Sequence, residues 1–460
     1  MGDFLEEAIL DEGIKKGATY CDIRIGKVRR TSLEVKDGEL KKASSGEEEG
    51  AGVRVLYNGV WGFFTINEIS KDSLKTALRN ALDMAKSGSS VARERVKIGP
   101  GETIKDNIRW KPKIDPFDVP IERKYKILAE MDSAIHEIEG VHTVTTAYSD
   151  GTIYTHFLNS EGSDIQAEIT RTLAQVNLVA REGAKVIGYR GRVGGTCGFE
   201  LFDMFDPVEK GVKVGESAVR VLKAKRSPSG RFPVVTDHDL TGVFVHEALG
   251  HATEGDIVTS GDSILEGQIG NKIAADNITI IDDSTLKNAF GSYPYDDEGV
   301  KGKRKILIQD GVLEGFILNR ETAHKLGMES NGGARAESFA ARPLVRMSNT
   351  YIDKGDYNFE EIFEDIKYGI YAKGTRGGEV DTAKGSFQFS AQEAFLIEKG
   401  EITTPLKDVS LSGMTLQILR NIDAVGNDLA LGDPGFCGKG QLVPVGDGGP
   451  HIRIKEAAVG

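Results

Sequence analysis

His246-Glu247-Ala248-Leu249-Gly250-His251 is the stretch of sequence that says most about this chain. Two histidines bracket a glutamate, and hydrolytic zinc sites are built from these residue types. The pattern assigns the two imidazoles to Zn²⁺ as neutral nitrogen ligands. It leaves Glu247 free to take a proton from the zinc-bound water that attacks the substrate. The motif alone leaves one alternative open, a histidine pair used for packing or N–H bonding with Glu247 on a solvated face.

The spacing of the two histidines limits the local backbone. In the common H-E-x-x-H arrangement the histidines are four apart and share one face of a helix. Here they are five apart, which separates them by roughly 140° on a straight α-helix. The helix must therefore end or bulge between them. We predict that it carries His246 and Glu247, that Gly250 ends it in the left-handed conformation, and that His251 lies just beyond.

A third metal ligand is missing from the motif. A catalytic zinc usually has three protein ligands and one open position. Glu254 and Asp256 follow closely, but they are equally suited to orienting the histidines from outside the metal shell. Cys437 lies in a glycine-flanked loop, and His451 in a Gly-Gly-Pro-His turn. Because a free cysteine is usually a small buried hydrophobe, the residues alone do not choose among these four.

Composition limits the class of protein. The chain has 460 residues, 39% of them hydrophobic and 28% charged, which is typical of a soluble globular protein with two or three domains. A net charge of −12 argues against direct nucleic-acid binding. Cys21, Cys197 and Cys437 are widely spaced and predict no disulfide framework. We find neither a signal peptide nor a run long enough to span a membrane, so we expect a cytoplasmic location and no membrane partner.

Hydrophobic patterning predicts an α+β protein in two parts. Residues 1–225 form an N-terminal α/β region of helices and short strands, with a possible subdivision near residues 92–120. Residues 226–460 form a mostly β domain, barrel-like or built on a strongly curved sheet, that carries the histidine helix. This second part contains all of the candidate chemistry.

Local signals refine this division. Asn58-Gly59 predicts a tight hairpin, and Asp150-Gly151 a further turn between short strands. Residues 92–112 read as a linker, and Gly191-Arg192-Val193-Gly194-Gly195 as a connecting turn, since it lacks the lysine and serine or threonine of a phosphate-binding loop. Helices are predicted near residues 70–87, 121–139, 207–225, 359–367 and 411–424.

Several further motifs after the histidines resemble the TldD branch of the TldD/PmbA family of zinc metallopeptidases (peptidase family U62). They cover most of residues 230–460. The matching segments are Asp282-Asp283-Ser284, Gly291-Ser292, Asp296-Asp297-Glu298-Gly299, residues 307–315, Arg335-Ala336-Glu337-Ser338, Pro343, residues 346–350, residues 377–381, residues 389–394, residues 425–429 and Cys437-Gly438-Lys439.

This resemblance implies a specific site and activity. It implies one Zn²⁺ per chain, held by His246, His251 and Cys437, with Glu247 as general base in the hydrolysis of unfolded or small peptides. Glu254 and Asp256 then support the ligands. The paralogous TldE/PmbA branch lacks the histidine motif and acts as a partner, so we expect either a homodimer or a heterodimer with such a paralogue.

Substrate contacts are harder to predict. Arg346, Asn349 and Ser390 are candidates for lining the cleft, although structural hydrogen bonding in turns explains them equally well. We expect backbone hydrogen bonding to an exposed strand to hold the peptide, which would allow many sequences to bind.

Two other classes of function stay open. One is a non-proteolytic binding or modulator protein of the same family, since members have been linked with DNA gyrase and toxin–antitoxin control. Such a role would not require His246, Glu247, His251 and Cys437 to be present together. The other is a zinc amidase or deacetylase that acts on a small molecule.

Overall fold

The structure is a computed structural model that describes residues 3–460, with side chains described from Glu6 onward. It confirms the predicted α+β class, with a mostly β C-terminal half built on curled sheets. None of the described helices is both long enough and apolar enough to cross a membrane.

A mainly antiparallel sheet organises the N-terminal half. Across the described residues its seven strands follow the order β3-β2-β1-β5-β6-β4, with β7 also paired to β6. The strands are β1 (Tyr20–Lys36), β2 (Glu39–Tyr57), β3 (Val60–Ile66), β4 (Lys105–Trp110), β5 (Val141–Asn159), β6 (Asp164–Glu182) and β7 (Lys185–Gly195).

Four of these strands are much longer than the short strands predicted for this region, at 17 to 19 residues each. The predicted turn at Asp150-Gly151 is wrong, because β5 continues through it. Gly151 is paired with Arg30 of β1 on one side and with Arg171 of β6 on the other, so both neighbours hold the backbone extended. The Asn58-Gly59 hairpin is confirmed, with φ of 47° and 70° at the two turn residues.

Helices cover one face of this sheet in two groups. The first two pack on β1 and β2, and α3 and α5 pack together over β5 to β7. The predicted helices near 70–87, 121–139 and 207–225 are confirmed within a few residues. The helices are α1 (Asp3–Lys15), α2 (Lys71–Ser89), α3 (Ile121–His136), α4 (Leu201–Met204) and α5 (Pro207–Lys223), with a 3₁₀ turn at Pro116–Asp118.

Two predicted connections in this half are strands instead. The stretch taken as a linker contains β4, which pairs in parallel with β6. Gly191 to Gly195 is not a connecting turn but the end of β7, held in register by β6. Glycine-rich sequence misled the prediction here, because Gly191 serves close packing: a Cβ at this position would lie 2.5 Å from Cγ2 of Val214 in α5.

Two main sheets, one of ten strands and one of seven, form the described C-terminal half. Within the described chain, the ten-stranded sheet follows the order β17-β18-β21-β26-β9-β16-β19-β20-β8, with β22 paired to β26. The seven-stranded sheet follows β12-β11-β10-β15-β25-β23, with β24 paired to β25, and β13 pairs with β14. Their bounds are β8 (Lys225–Arg226), β9 (Gly230–Thr236), β10 (Ile280–Asp283), β11 (Arg304–Gln309), β12 (Val312–Leu313), β13 (Ala334–Arg335), β14 (Leu344–Val345), β15 (Asn349–Ile352), β16 (Tyr368–Lys373), β17 (Gly377–Asp381), β18 (Ser386–Ser390), β19 (Glu393–Glu398), β20 (Glu401–Lys407), β21 (Ser410–Met414), β22 (Ile422–Val425), β23 (Ala430–Leu431), β24 (Gly435–Gly438), β25 (Leu442–Gly449) and β26 (Ile452–Val459).

Short helices connect and fill this half. The predicted helix at 411–424 is too long, because its ends form β21 and β22, which pair with β26. The helices are α6 (His238–Val243), α7 (Gly255–Thr259), α8 (Arg320–Leu326), α9 (Phe359–Glu364) and α10 (Thr415–Asn421). Of these, α6 leads directly into the histidine motif, whose apolar residues Phe244, Val245, Ala248 and Leu249 are buried in the main core.

Candidate metal centre

The histidine motif lies on a π-helical turn. Asp237 caps α6 by accepting a hydrogen bond from the backbone N–H of Leu240 at 3.0 Å. The chain then continues as a π-helix over Phe244–Gly250 and a 3₁₀ turn over His251–Thr253. The backbone N–H of His251 bonds to the carbonyl of His246. Because π-helical hydrogen bonds join residues five apart, this turn places the two histidines above one another.

The bulge that the spacing requires is therefore present, but the predicted role of Gly250 is wrong. Its φ is −52°, an ordinary right-handed helical value, and the helix does not end there. Glycine is needed for space instead, because a Cβ on Gly250 would lie 2.1 Å from Sδ of Met347. Met347, which leaves no room for a larger side chain at position 250, lies far away in sequence, on the segment leading into β15.

Replacing Gly250 by alanine should consequently destabilise the fold. Forcing a methyl group into a packed interior typically costs about 1–3 kcal/mol, so we expect a lower thermal unfolding midpoint for Gly250→Ala. Gly46→Ala is the matched control, because no described atom lies within 4 Å of a Cβ at that position. An unfolding midpoint for Gly250→Ala equal to that of the control would contradict this account of the turn.

His246, His251 and Cys437 come together around one point. Each offers a ligand atom, and these atoms all lie within 4.8 Å of one another. Nε2 of His251 lies 3.4 Å from Sγ of Cys437, close to the roughly 3.6 Å between nitrogen and sulfur ligands of a tetrahedral zinc ion. The two imidazole rings are nearly perpendicular, with centroids 5.3 Å apart.

Cys437 is presented by a β-hairpin from the end of the chain. It lies on β24 opposite Val443 of β25. Arg346 supports this hairpin, because its guanidinium donates hydrogen bonds to the carbonyl oxygens of Cys437 and, at 2.8 Å, of Gln441. Arg346 is fully buried and does not line the cavity that surrounds His246, Glu247 and Cys437, so the structure gives it a supporting position in place of the substrate contact expected from the sequence.

Glu254 and Asp256 lie beside the histidine cluster and are joined to each other through a lysine. Glu254 is fully buried, and its Oε2 accepts a hydrogen bond at 2.9 Å from Nδ1 of His251, which leaves Nε2 of this imidazole facing Cys437. Lys439 links the two carboxylates, with Nζ 3.0 Å from Glu254 and 2.7 Å from Asp256. Lys439 belongs to the Cys437-Gly438-Lys439 motif, but no local pattern predicts that it contacts these two carboxylates.

Electrostatics favour an anionic sulfur at this site. Burial raises the pKa of the Cys437 thiol, but hydrogen bonding to His246 and His251 outweighs burial and lowers that pKa to about 5. Burial acts to lower the pKa of both imidazoles. Cys437 outweighs burial at His246, and Glu254 together with Cys437 outweighs it at His251, so the pKa of each imidazole is raised. A thiolate is the form of cysteine that binds metals, and metal binding would displace the imidazole protons.

These residues fit a zinc ion. Two imidazoles and a thiolate are nitrogen and sulfur donors of the kind zinc prefers, and three protein ligands leave a position open. Nδ1 of His246 is buried and has no hydrogen-bond partner among the described residues. A buried polar atom without a partner is costly, and a metal ion bound at this nitrogen would remove that cost.

Glu247 faces the same cavity. This cavity has a volume of about 340 Å³. The Glu247 side chain is 34% exposed, and its Oε2 lies 3.7 Å from Nε2 of His251. Besides the motif residues and Cys437, the wall is formed by Arg190, Arg192, Asp239, Val243, Thr375, Gly377, Gly378, Gln392, Asp433, Gly435, Phe436, Gly438, Val445 and Asp447.

His451, the remaining candidate for third ligand, belongs to a different cluster. It groups with His238 and Asp428. Its Nδ1 lies 2.6 Å from Asp428 and its Nε2 2.8 Å from the hydroxyl of Tyr371, so both ring nitrogens already have hydrogen-bond partners. Nδ1 of His238 is likewise paired, with the carbonyl of Gly449 at 2.8 Å. Hydrogen bonding accounts for this cluster.

Asn349 and Ser390 do not line the cavity. Asn349 is fully buried, accepts from the backbone of Gly291 at 3.0 Å and donates to Ser292 at 2.9 Å, so it ties β15 to the loop that contains these two residues. Ser390 lies on β18 directly opposite Gly377 of the cavity wall. Instead, the N-terminal sheet contributes two arginines, Arg190 and Arg192, which the sequence analysis missed because their glycine-rich surroundings suggested a turn.

Models of one protein family match most of this chain. Sequence models of the PmbA/TldA metallopeptidase domain 1, central domain and C-terminal domain match residues 21–85, 114–226 and 229–460, respectively. A metalloprotease of Methanothermobacter thermautotrophicus is 47% identical over 100% of this chain and 98% of its own length. A zinc metalloprotease TldD homolog of Saccharolobus solfataricus is 31% identical over 96% of this chain and 97% of its own. The crystal structure of TldE from Thermococcus kodakarensis shares the fold, with a TM-score of 0.80, 21% identity and 99% of each chain covered.

The family models and the names of the relatives define the class of this chain as that of the metallopeptidases. More particularly, this chain belongs to the PmbA/TldA metallopeptidase family, on its TldD side.

Proposed function

We propose that the protein is a zinc-dependent metallopeptidase that hydrolyses unfolded or small peptides. One observation carries this proposal: the three ligand atoms of His246, His251 and Cys437 and the carboxylate of Glu247 line a single cavity. The names of the relatives support zinc and proteolysis as the chemistry of this family.

Each residue has a role in this proposal. His246, His251 and Cys437 would hold the zinc ion, which supplies a Lewis acid that polarises the scissile carbonyl and makes water a better nucleophile. Glu247 takes the proton of the attacking water and then delivers it to the leaving amine. Glu254 fixes the tautomer of His251, since its carboxylate accepts a hydrogen bond from the N–H at Nδ1.

Removing and restoring zinc tests this function. Chelator-treated protein should lose cleavage of an unstructured fluorogenic peptide, and about one equivalent of Zn²⁺ per chain should restore it. Acetylated and ureido small molecules should stay intact in the same assay. Cleavage of those compounds but not of peptides would favour a zinc amidase, and a zinc-loaded protein that cleaves neither would favour a non-proteolytic modulator.

We further propose that the peptide pairs with the edge strand β17. This strand ends the ten-stranded sheet, and β18 is its only partner among the described residues. Gly377 and Gly378 at its start line the cavity that contains Glu247. An extended peptide added to this edge would bind through its backbone, so many sequences would be accepted.

N-methylation of the substrate tests this binding mode. A methyl group on a backbone nitrogen removes the N–H that pairs with an edge strand, so a peptide with alternate N-methylated residues should bind at least about tenfold more weakly. The unmethylated peptide of the same sequence is the control. Binding constants measured by calorimetry that are equal for the two peptides would contradict strand pairing.

We also propose a cytoplasmic protein that forms a homodimer or a heterodimer with a TldE-like paralogue. The similarity in fold to TldE supports a common mode of assembly. Light scattering of the purified chain distinguishes the two cases, because a stable homodimer has twice the mass of one chain and a chain that needs its paralogue stays monomeric.

A further inference from the structure

The cavity at the candidate metal centre has a basic wall that the proposed chemistry does not use. Arg190 and Arg192 are two apart on β7, so their side chains point to the same face of the N-terminal sheet. Gly191 between them is buried against Val214 on the opposite face. Both arginines line the cavity that also contains His246 and Glu247. The N-terminal half thus brings two positive charges to a site built by the C-terminal half.

The backbone that carries these arginines is fixed on both sides. Gln392 accepts from the backbone N–H of Arg190 at 3.2 Å and donates to its carbonyl at 3.3 Å. Asp433 accepts from the backbone N–H of Arg192 at 2.8 Å. These bonds use atoms of the main chain and leave the guanidinium groups free to face the cavity.

The guanidinium groups themselves have few partners. Each donates one long hydrogen bond to a backbone carbonyl, at 3.3 Å to Thr375 from Arg190 and at 3.3 Å to Pro434 from Arg192. Among the side chains of residues 6–460, no carboxylate lies within 4.0 Å of the guanidinium nitrogens of either arginine. Burial and the charge of Arg190 lower the pKa of Arg192, which Asp433 partly offsets. Two close and partly buried cations that form no direct ion pair with a carboxylate are a favourable place for an anion.

Four acidic residues also face this cavity, and two of them, Asp433 and Asp239, are engaged by other groups. Asp433 is bound by Nζ of Lys210 at 2.6 Å as well as by the backbone of Arg192. Asp239 accepts from the backbone N–H of Asp433 at 2.6 Å. In the proposed function, Glu247 acts in proton transfer. Asp447 completes the acidic lining of the wall.

We infer that Arg190 and Arg192 bind a carboxylate group of the peptide substrate. This inference rests on the proposed peptidase function and adds the substrate chemistry that the site selects. The planar guanidinium fork matches a carboxylate through paired hydrogen bonds. A second cavity of about 780 Å³ shares Arg192, Asp239 and Asp433 with the first, and gives room for the rest of a bound peptide.

Binding can be measured without turnover in zinc-loaded Glu247→Gln protein. The first pair of ligands is acetyl-trialanine with a free carboxylate and with a carboxamide. The second pair has amidated ends and a central glutamate or glutamine. Calorimetry should show about ten- to a hundredfold tighter binding of the acidic member of at least one pair. A preference in the first pair assigns the terminal carboxylate, and one in the second pair assigns an acidic side chain.

Additional substitutions connect this preference with the arginines. Adding Arg190→Gln and Arg192→Gln should remove it, whereas Arg226→Gln should keep it, because the Arg226 side chain is 87% exposed and not part of the cavity wall. The lysine pair Arg190→Lys and Arg192→Lys keeps the charge without the fork, and should retain only part of the preference. Zinc content and circular dichroism check that each variant is folded.

Equal binding of acid and amide in both ligand pairs would overturn the inference, and so would a preference that survives the double glutamine substitution. Failure of the proposed function has a different signature. In that case wild-type protein loaded with zinc would cleave no peptide, while the arginine-dependent preference for carboxylates would persist.

Discussion

Glu247→Gln protein is expected to hydrolyse peptides about a hundred- to ten-thousandfold more slowly than wild type while it keeps its zinc. This range is the usual contribution of a positioned general acid–base group. Glutamine has nearly the same shape as glutamate but cannot take the proton of the attacking water. Glu247 is not among the three clustered ligand atoms, so metal binding should persist. The measurements are kcat on an unstructured fluorogenic peptide and zinc content by plasma mass spectrometry.

An exposed glutamate provides the control for this experiment. Glu360 lies on the surface of α9, so Glu360→Gln should cleave at the wild-type rate. Wild-type turnover in Glu247→Gln would remove the general-base assignment. Loss of zinc along with activity would instead identify Glu247 as a metal ligand.

Cys437→Ala is expected to lose both zinc and activity. The substitution removes one of three ligands and the anionic charge that accompanies it, and a structural or catalytic zinc seldom stays bound by two imidazoles alone. Zinc should fall from about one equivalent per chain to a small fraction of one after dialysis. Peptide cleavage should fall in proportion to the zinc that is lost.

Cys197→Ala is the matched control, since Cys197 is also a buried free cysteine but is not part of the cluster. It should keep zinc and cleavage. Zinc retained by Cys437→Ala would move the third ligand to another group, and buried Glu254 beside His251 would be the first candidate.

The histidine motif shows what sequence reasoning can and cannot supply here. A five-residue spacing excludes a straight α-helix on geometry alone, and the π-helical turn satisfies that requirement. Local sequence does not predict why a glycine is needed at position 250, because the reason is its contact with Met347, nearly a hundred residues later. Local sequence predicts what a glycine allows, while the neighbour that requires the glycine is set by tertiary packing.

The other candidate site residues show the same limit of local sequence. Residue type alone gave Cys437 no advantage over Glu254 or His451, and the family resemblance supplied the choice. Arg346 and Asn349 read as cleft residues because they are polar, but burial and hydrogen bonding turned them inward. Burial of a polar side chain depends on which strands become neighbours, and no local sequence pattern predicts the order of strands in a sheet.

The fold was more predictable in its helices than in its strands. Helices such as α2 and α5 carry their own periodicity and caps, with Ser70 and Asp206 at their starts. Strand β5 instead passes through a good turn sequence because it is paired on both sides. The proposed division near residue 225 stays a prediction, and proteolysis of the folded chain would test it.

X-ray diffraction from crystals of the zinc-loaded protein, recorded above and below the zinc absorption edge, would locate the zinc ion itself. We expect one strong anomalous peak per chain, about 2.0–2.1 Å from a ring nitrogen of His246 and of His251 and about 2.3 Å from Sγ of Cys437. A peak at the cluster of His238, Asp428 and His451 would contradict this expectation. So would the absence of a peak at Cys437 in crystals of protein that cleaves peptides.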